Sequence, residues 1–312
     1  MKGTMLTVTL NAAVDRIIVV GTLRRGQPNI ARCSLRYFSG KGVNVARALA
    51  CLGRPATASG FIGRSELRLF NDALEALGVL TRFVPVAEPT RTNYKLVEEE
   101  TGEEIEINER GPMISGGERL MLEEVLDGLS GSAAMLLLSG SLPPGLSERY
   151  YGQLIGRASE CGVRCALDSS GAALRAGLQE QPCLVKINRF ELGQVLGKEL
   201  PTIEDVARGL ELLCARGVQV AVASVGPGGA VASDGCTAWL AKPPAVEVRS
   251  AVGAGDVMLA GMAVSVLDQA PLGEALRWAT ALATASVTDY EPGTVDVKLA
   301  EQLLPEVELT EV

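Results

Sequence analysis

The sequence predicts an α/β fold: a doubly wound, mostly parallel sheet flanked by helices, with a small β-sheet lid. Continuous apolar runs at Met5 to Leu10, Ala133 to Ser139, Val163 to Leu167, Leu184 to Ile187 and Val218 to Ser224 have the character of strands buried on both faces. Between most of them lie stretches of helical length, Glu66 to Leu77, Glu118 to Leu129, Glu148 to Glu160 and Ile203 to Arg216, with apolar residues three and four apart. Strand then helix, repeated, describes a sheet covered on both sides. Two segments, about 15–37 and 91–110, instead alternate polar and apolar residues. Alternation implies one wet face, so these segments are expected to form the separate small sheet, with a hairpin around Thr101 and Gly102. From Val257 onward, Ala-rich helical segments are expected to run nearly to a frayed C-terminus.

A chain of 312 residues can bury a large core, as one α/β domain with the lid as its appendage. With 47% hydrophobic and 4% aromatic residues, that core is built mostly from Ala, Val and Leu. The net charge of −8 argues against general affinity for nucleic acid or an anionic membrane. Val257 to Leu267, the longest strongly apolar stretch, falls short of the roughly 20 residues a membrane span needs. The N-terminus lacks a signal-peptide pattern, and the chain reads as cytoplasmic. The seven cysteines include no C-x-x-C pair, which favours reduced, buried thiols over disulfides or zinc. With no histidine in the chain, acid-base chemistry falls to carboxylate, Cys, Lys or Tyr.

The most informative segment is S-A-V-G-A-G-D-V-M, residues 250–258, where a small-residue turn opens into an apolar helix. Gly253, Ala254 and Gly255 leave backbone N–H groups open at a helix N-terminus, which suits a phosphate or oxyanion. Asp256 in the first turn could take a proton from a hydroxyl beside that hole. Taken alone, G-A-G-D reads first as a Gly-rich turn with Asp as its N-cap. S-G-K-G-V-N-V-A, residues 39–46, repeats the design, with Gly40, Lys41 and Asn44 suited to an anionic or hydroxyl-rich ligand. Neither segment is a Walker A loop or a Rossmann fingerprint.

Together these segments resemble the ribokinase or pfkB-type carbohydrate kinase family. T-L-N-A-A-V-D (9–15), S-G-S-L-P-P-G (139–145), D-S-S-G (168–171), K-I-N-R-F-E-L (186–192) and S-V-G-P-G-G-A (224–230) resemble further family segments, so the likeness runs from about residue 6 to 295. The resemblance implies a ribokinase-like fold, ATP and Mg²⁺ as cofactors, and Asp256 as catalytic base beside an anion hole of Gly253, Ala254 and Gly255. It implies Asp15, Gly40, Lys41, Asn44 and Ser141 for the sugar, and Lys186, Asn188, Ser224, Gly226 and Gly229 for the nucleotide. Glu191 would reach Mg²⁺ through water.

In T-R-T-N-Y-K, residues 90–95, Arg91, Asn93 and Lys95 point the same way from an extended strand. Spacing alone fits an ordinary solvated face, but the segment resembles the fructose-1-phosphate kinase branch, near the tagatose-6-phosphate kinases. The expected activity is phosphorylation of fructose 1-phosphate. Tagatose 6-phosphate and fructose 6-phosphate are alternative acceptors, and a non-catalytic sugar-phosphate sensor is the alternative of another class. A homodimer through the lid edges is the expected assembly. Ala12 and Ile187 stand where the family has proline, and the second change is expected to loosen Asn188.

Overall fold

The computed structural model describes residues 3–312. β1 (Thr4–Thr9) is followed by β2 (Ala13–Val20) and β3 (Cys33–Ser39), an antiparallel pair. α1 (Lys41–Cys51) starts from Gly40 and buries Val43, Val45, Ala46, Ala48 and Leu49. β4 (Ala56–Gly63) is buried at every position, although its small residues mask the apolar signal. α2 (Leu67–Glu75) and β5 (Leu80–Val86) precede β6 (Arg91–Glu98) and β7 (Glu104–Asn108), which form the expected hairpin.

Helix and strand then alternate through α3 (Gly116–Ser130), β8 (Ala133–Ser139), α4 (Tyr150–Glu160) and β9 (Arg164–Asp168). The same rhythm continues in α5 (Gly171–Gln179), β10 (Leu184–Asn188), α6 (Arg189–Leu196), α7 (Ile203–Cys214) and β11 (Val220–Ser224). An antiparallel pair, β12 (Ala230–Ser233) and β13 (Ala238–Lys242), leads to α8 (Ala254–Leu267), α9 (Leu272–Ser286), α10 (Val297–Leu303) and β14 (Glu308–Glu311).

One sheet has ten strands in the order β14-β13-β12-β11-β10-β9-β8-β1-β4-β5, parallel from β5 to β11 and antiparallel beyond. The four-stranded sheet β3-β2-β6-β7 gathers the alternating segments. Along β8, Met135 and Leu137 join the core beneath α1, α8 and α9, while Leu136 and Leu138 face the opposite layer under α3 and α4. α8 is apolar all round because it lies inside the first layer, and among the described residues no helix is long and apolar enough to cross a membrane.

Several expectations need correction. Residues 308–311 pair with β13 and extend the large sheet where a frayed end was expected. β6 is half-buried and β7 exposed at every position, so neither strand shows the dry and wet faces that alternation implies. Only Cys165 and Cys183 are buried, whereas Cys33, Cys161 and Cys236 are exposed. Glu98, Glu99 and Glu100 are more than a solvated flank: they bind Leu23 N–H, the Arg32 guanidinium and the Thr22 hydroxyl, which ties the hairpin to the loop after β2.

α7 carries a reciprocal cap in which Thr202 accepts from Asp205 N–H and the Asp205 carboxylate accepts from Thr202 N–H. Thr202→Ala is expected to lower stability by about 1 kcal/mol in urea unfolding, with the m-value unchanged.

Candidate active site

Register builds the site before any side chain is considered. Thr9, Ser139 and Asp168 are lateral neighbours at the C-terminal ends of β1, β8 and β9. Lys186 stands beside them on β10, two residues after Leu184 and hence on the same face. Open α/β sheets bind their ligands at this rim.

α1 and α8 both begin here, and neither Gly40 nor Gly253 provides a side-chain cap, so their first-turn N–H groups have no such partner. Asp256 lies in the first turn of α8, three residues past its N-cap, so the reading of Asp256 as N-cap does not hold. Its carboxyl is 5% exposed, and Asn44 on α1 donates to Oδ2 at 2.8 Å. The other polar end of Asn44 accepts from Ser39 at 3.1 Å, so this side chain, expected at the sugar, is engaged in orienting Asp256. Burial pushes the Asp256 carboxyl up to about 6, against the opposing pull of Lys41 and the Asn44 hydrogen bond.

Asp168, fully buried, accepts from Lys41 Nζ at 2.6 Å and Lys186 Nζ at 3.0 Å. Burial alone would raise its pKa, but the two ammonium groups outweigh that and hold it below the usual carboxylate range. Burial likewise opposes the charge on Lys41, and Asp168, Asp256 and Glu191 more than offset it. D-S-S-G by itself assigns Asp168 no role. A carboxylate ending an apolar strand was the available signal. Gly255 makes room for the arrangement, since a Cβ there would stand 2.5 Å from Lys186 Nζ.

Beyond Lys186, the K-I-N-R-F-E segment forms a capping box for α6, with Glu191 N–H donating to Asn188 Oδ1 and Asn188 N–H to Glu191 Oε2, both at 2.8 Å. Ile187 continues β10, and its partner is Ala223 on β11, so Asn188 is held by ladder and cap and is not loosened by the missing proline. Ser224 ends β11, and Gly226 opens the short turn that follows. Gly229 is a glycine for a structural reason, because a Cβ there would meet Ala241 O at 1.9 Å.

On the small sheet, Asp15 pairs with Asn93 across β2 and β6, and Asn93 Nδ2 donates to Asp15 Oδ1 at 2.9 Å. Burial raises the Asp15 pKa, partly countered by hydrogen bonds from Ser39 and Asn93 and by Arg91. Asp15, Asn93 and Lys95 line a cleft of about 130 Å³ with Val252 and Pro292, which border the Gly253 turn. Lys95 is not a free cation: Glu104 binds it at 2.7 Å. Arg91 donates to the carbonyls of Asn11 and Glu109. Ser141 is joined to the same corner by Asn11 Nδ2 at 3.1 Å.

Lysines and uncapped helix ends for a transferring phosphate, with a buried carboxylate of raised pKa beside them, define a phosphotransferase acting on a hydroxyl. The pfkB family carbohydrate kinase model matches residues 4–298. The chain is 36% identical to 1-phosphofructokinase of Escherichia coli K12, over 99% of each protein. It superposes with a TM-score of 0.91 and 30% identity on Escherichia coli phosphofructokinase-2 in complex with substrates and products, covering 97% of this chain and 99% of that one. Arabidopsis thaliana ribokinase, at a TM-score of 0.76, 22% identity and coverage of 97% and 99%, shares the fold. The chain belongs to the pfkB family of carbohydrate kinases. It is an enzyme that phosphorylates a sugar hydroxyl, with ATP as donor.

Gly255→Ala should push Lys186 off Asp168 and lower turnover more than stability, read by comparing steady-state rate with thermal midpoint. Asp256→Asn should stabilise the fold, because a carboxyl whose folded pKa is raised loses stability as pH climbs. The gap over wild type should open between about pH 4 and 6 and reach roughly 3 kcal/mol at pH 8, measured by urea unfolding at both ends.

Proposed function

We propose that this protein transfers the γ-phosphoryl group of ATP to the 6-hydroxyl of fructose 1-phosphate, giving fructose 1,6-bisphosphate, with Asp256 as the general base. The observation that carries this reading is the buried Asp256 carboxyl, oriented by Asn44 beside an uncapped helix N-terminus and the Lys41–Asp168–Lys186 cluster. Near full-length similarity to a 1-phosphofructokinase favours the sugar.

In the step itself, the acceptor hydroxyl gives its proton to Asp256 as its oxygen bonds to the γ-phosphorus. The bond from that phosphorus to the bridging oxygen breaks, and ADP leaves. Lys41, Lys186 and the N–H groups of Gly253, Ala254 and Gly255 stabilise the charge on the phosphoryl oxygens. Asp15, Gly40, Arg91, Asn93, Lys95 and Ser141 hold the phosphosugar, with Lys95 exchanging Glu104 for the phosphate. Asn188, Ser224, Gly226 and Gly229 face the nucleotide.

Among the described residues no cluster of three His, Cys, Asp or Glu side chains could hold a metal. Mg²⁺ would be carried mainly on the nucleotide phosphates, to which Glu191 can add an oxygen through water, since only its Oε2 enters the capping box. When bound, Mg²⁺ supplies positive charge against the phosphates. The edges of the small sheet, β3 and β7, support pairing of two copies into a homodimer, which sedimentation would test. Its proposed substrates, ATP and a phosphosugar, favour a cytoplasmic enzyme.

A coupled ADP-release assay over fructose 1-phosphate, tagatose 6-phosphate and fructose 6-phosphate should give the highest kcat/KM for the first. The acidic limb of its pH profile should fall near pH 6, with activity rising as Asp256 loses its proton. Asp256→Asn should abolish turnover and keep ATP binding. Preference for another sugar overturns the substrate, and an active Asn variant overturns the base.

A further inference from the structure

Arg47 lies one turn beyond Asn44 on α1, and only 2% of it is exposed. A buried guanidinium is costly unless its donors and charge are met. Here Nη1 donates to the Pro292 carbonyl at 2.6 Å, Nη2 to the Phe38 carbonyl at 3.1 Å, and Glu291 provides a carboxylate 3.6 Å away. Nε has no partner, and the Glu291 side chain is 43% exposed. The group is therefore held for what its fork joins, since its own pairing is incomplete.

What it joins is the frame of the site. Phe38 belongs to β3 of the small sheet, where it pairs with Val14 next to Asp15. Pro292 and Gly293 fill the space between the anion-binding turn and α1. A Cβ on Gly253 would meet Gly293 N at 2.8 Å and Pro292 Cα at 3.1 Å. A Cβ on Gly293 would meet Asn44 O at 2.5 Å and Asn44 Cα at 2.6 Å. The loop is thus wedged between the residue that orients Asp256 and the turn that starts α8. Arg47 reaches none of the reacting groups itself.

We propose that Arg47 is a positioning residue, whose guanidinium fork clamps the Glu291–Gly293 loop to α1 and to β3 and so sets the spacing between the Gly253–Gly255 turn, the Asn44–Asp256 pair and the small sheet. This rests on the phosphoryl-transfer reading for its kinetic consequence, and on geometry alone for its structural one. A lysine keeps the charge and can bond one carbonyl, but it lacks the planar fork that spans two. Misplacement of about 1 Å at a reacting centre lowers rate by about 100-fold.

The test is Arg47→Lys, with Arg47→Ala as a second variant. Arg47→Lys is expected to lower kcat by about 10- to 100-fold while KM for the phosphosugar changes less than about 3-fold. Its thermal midpoint should stay within a few degrees of wild type, and millimolar guanidinium should partly restore Arg47→Ala but not Arg47→Lys. Hydrogen exchange of the peptide covering residues 250–258, followed on the free protein, should be faster in Arg47→Lys. Unchanged exchange there, or a kcat loss that merely tracks the unfolded fraction, overturns the clamp. A wild-type protein that accepts no phosphosugar overturns the functional reading instead, and the exchange result still decides the clamp.

Discussion

Asp168 is a carboxylate with no exposure to solvent, at the end of a strand in the middle of the sheet, and both its oxygens are met by lysine ammonium groups. Removing an ion of this size from water costs several kcal/mol even after relaxation, so the charge persists only because two cations share it. Those cations come from different layers of the fold, Lys41 from the first turn of α1 and Lys186 from β10. Pinning them to one carboxylate places positive charge at the sheet rim without the freedom a surface lysine keeps. It also leaves the trio with a net positive charge, which suits an anion.

Around this core the fold collects helix N-termini. α1 and α8 start at the same rim from uncapped glycines, and the Asn44–Asp256 hydrogen bond joins their first turns. The same burial that raises the Asp256 pKa removes competing water, so a carboxyl that costs stability gains basicity. Arg47, buried behind Asn44 on α1, bonds the Pro292 and Phe38 carbonyls at the back of this frame. Stability and chemistry therefore pull in opposite directions at Asp256 and in the same direction at Asp168.

Much of the site could be read from the chain because the relevant signals are local. Gly40-Lys41-Gly42 and Gly253-Ala254-Gly255 are short turns whose small residues announce a helix N-terminus, and the strand ends that carry Lys186 and Ser224 follow apolar runs. Where the reading was incomplete, the deciding contact was remote. Asn44 and Asp256 are 212 positions apart, and Lys41 and Asp168 are 127 apart. Nothing in the surroundings of Asp168 in sequence says that two lysines will meet it. Glu104 silences Lys95 from the neighbouring strand, a pairing that depends on hairpin register. The strand at 308–311 was invisible for the same reason, since the free edge of β13 is what makes those residues a strand.

By itself, then, the sequence determined the doubly wound α/β architecture, the two helix-opening turns and the placing of Asp256 beside one of them. Hydrophobic periodicity and turn chemistry act over a few residues, and those features need nothing more. The contacts that needed the folded chain are the Asn44–Asp256 hydrogen bond, the meeting of Lys41 and Lys186 at Asp168, and the Arg47 bonds to the Pro292 and Phe38 carbonyls. The physical reason is that a buried charge or amide acquires its role from the partners that desolvation forces upon it, and the fold brings those partners from distant parts of the chain.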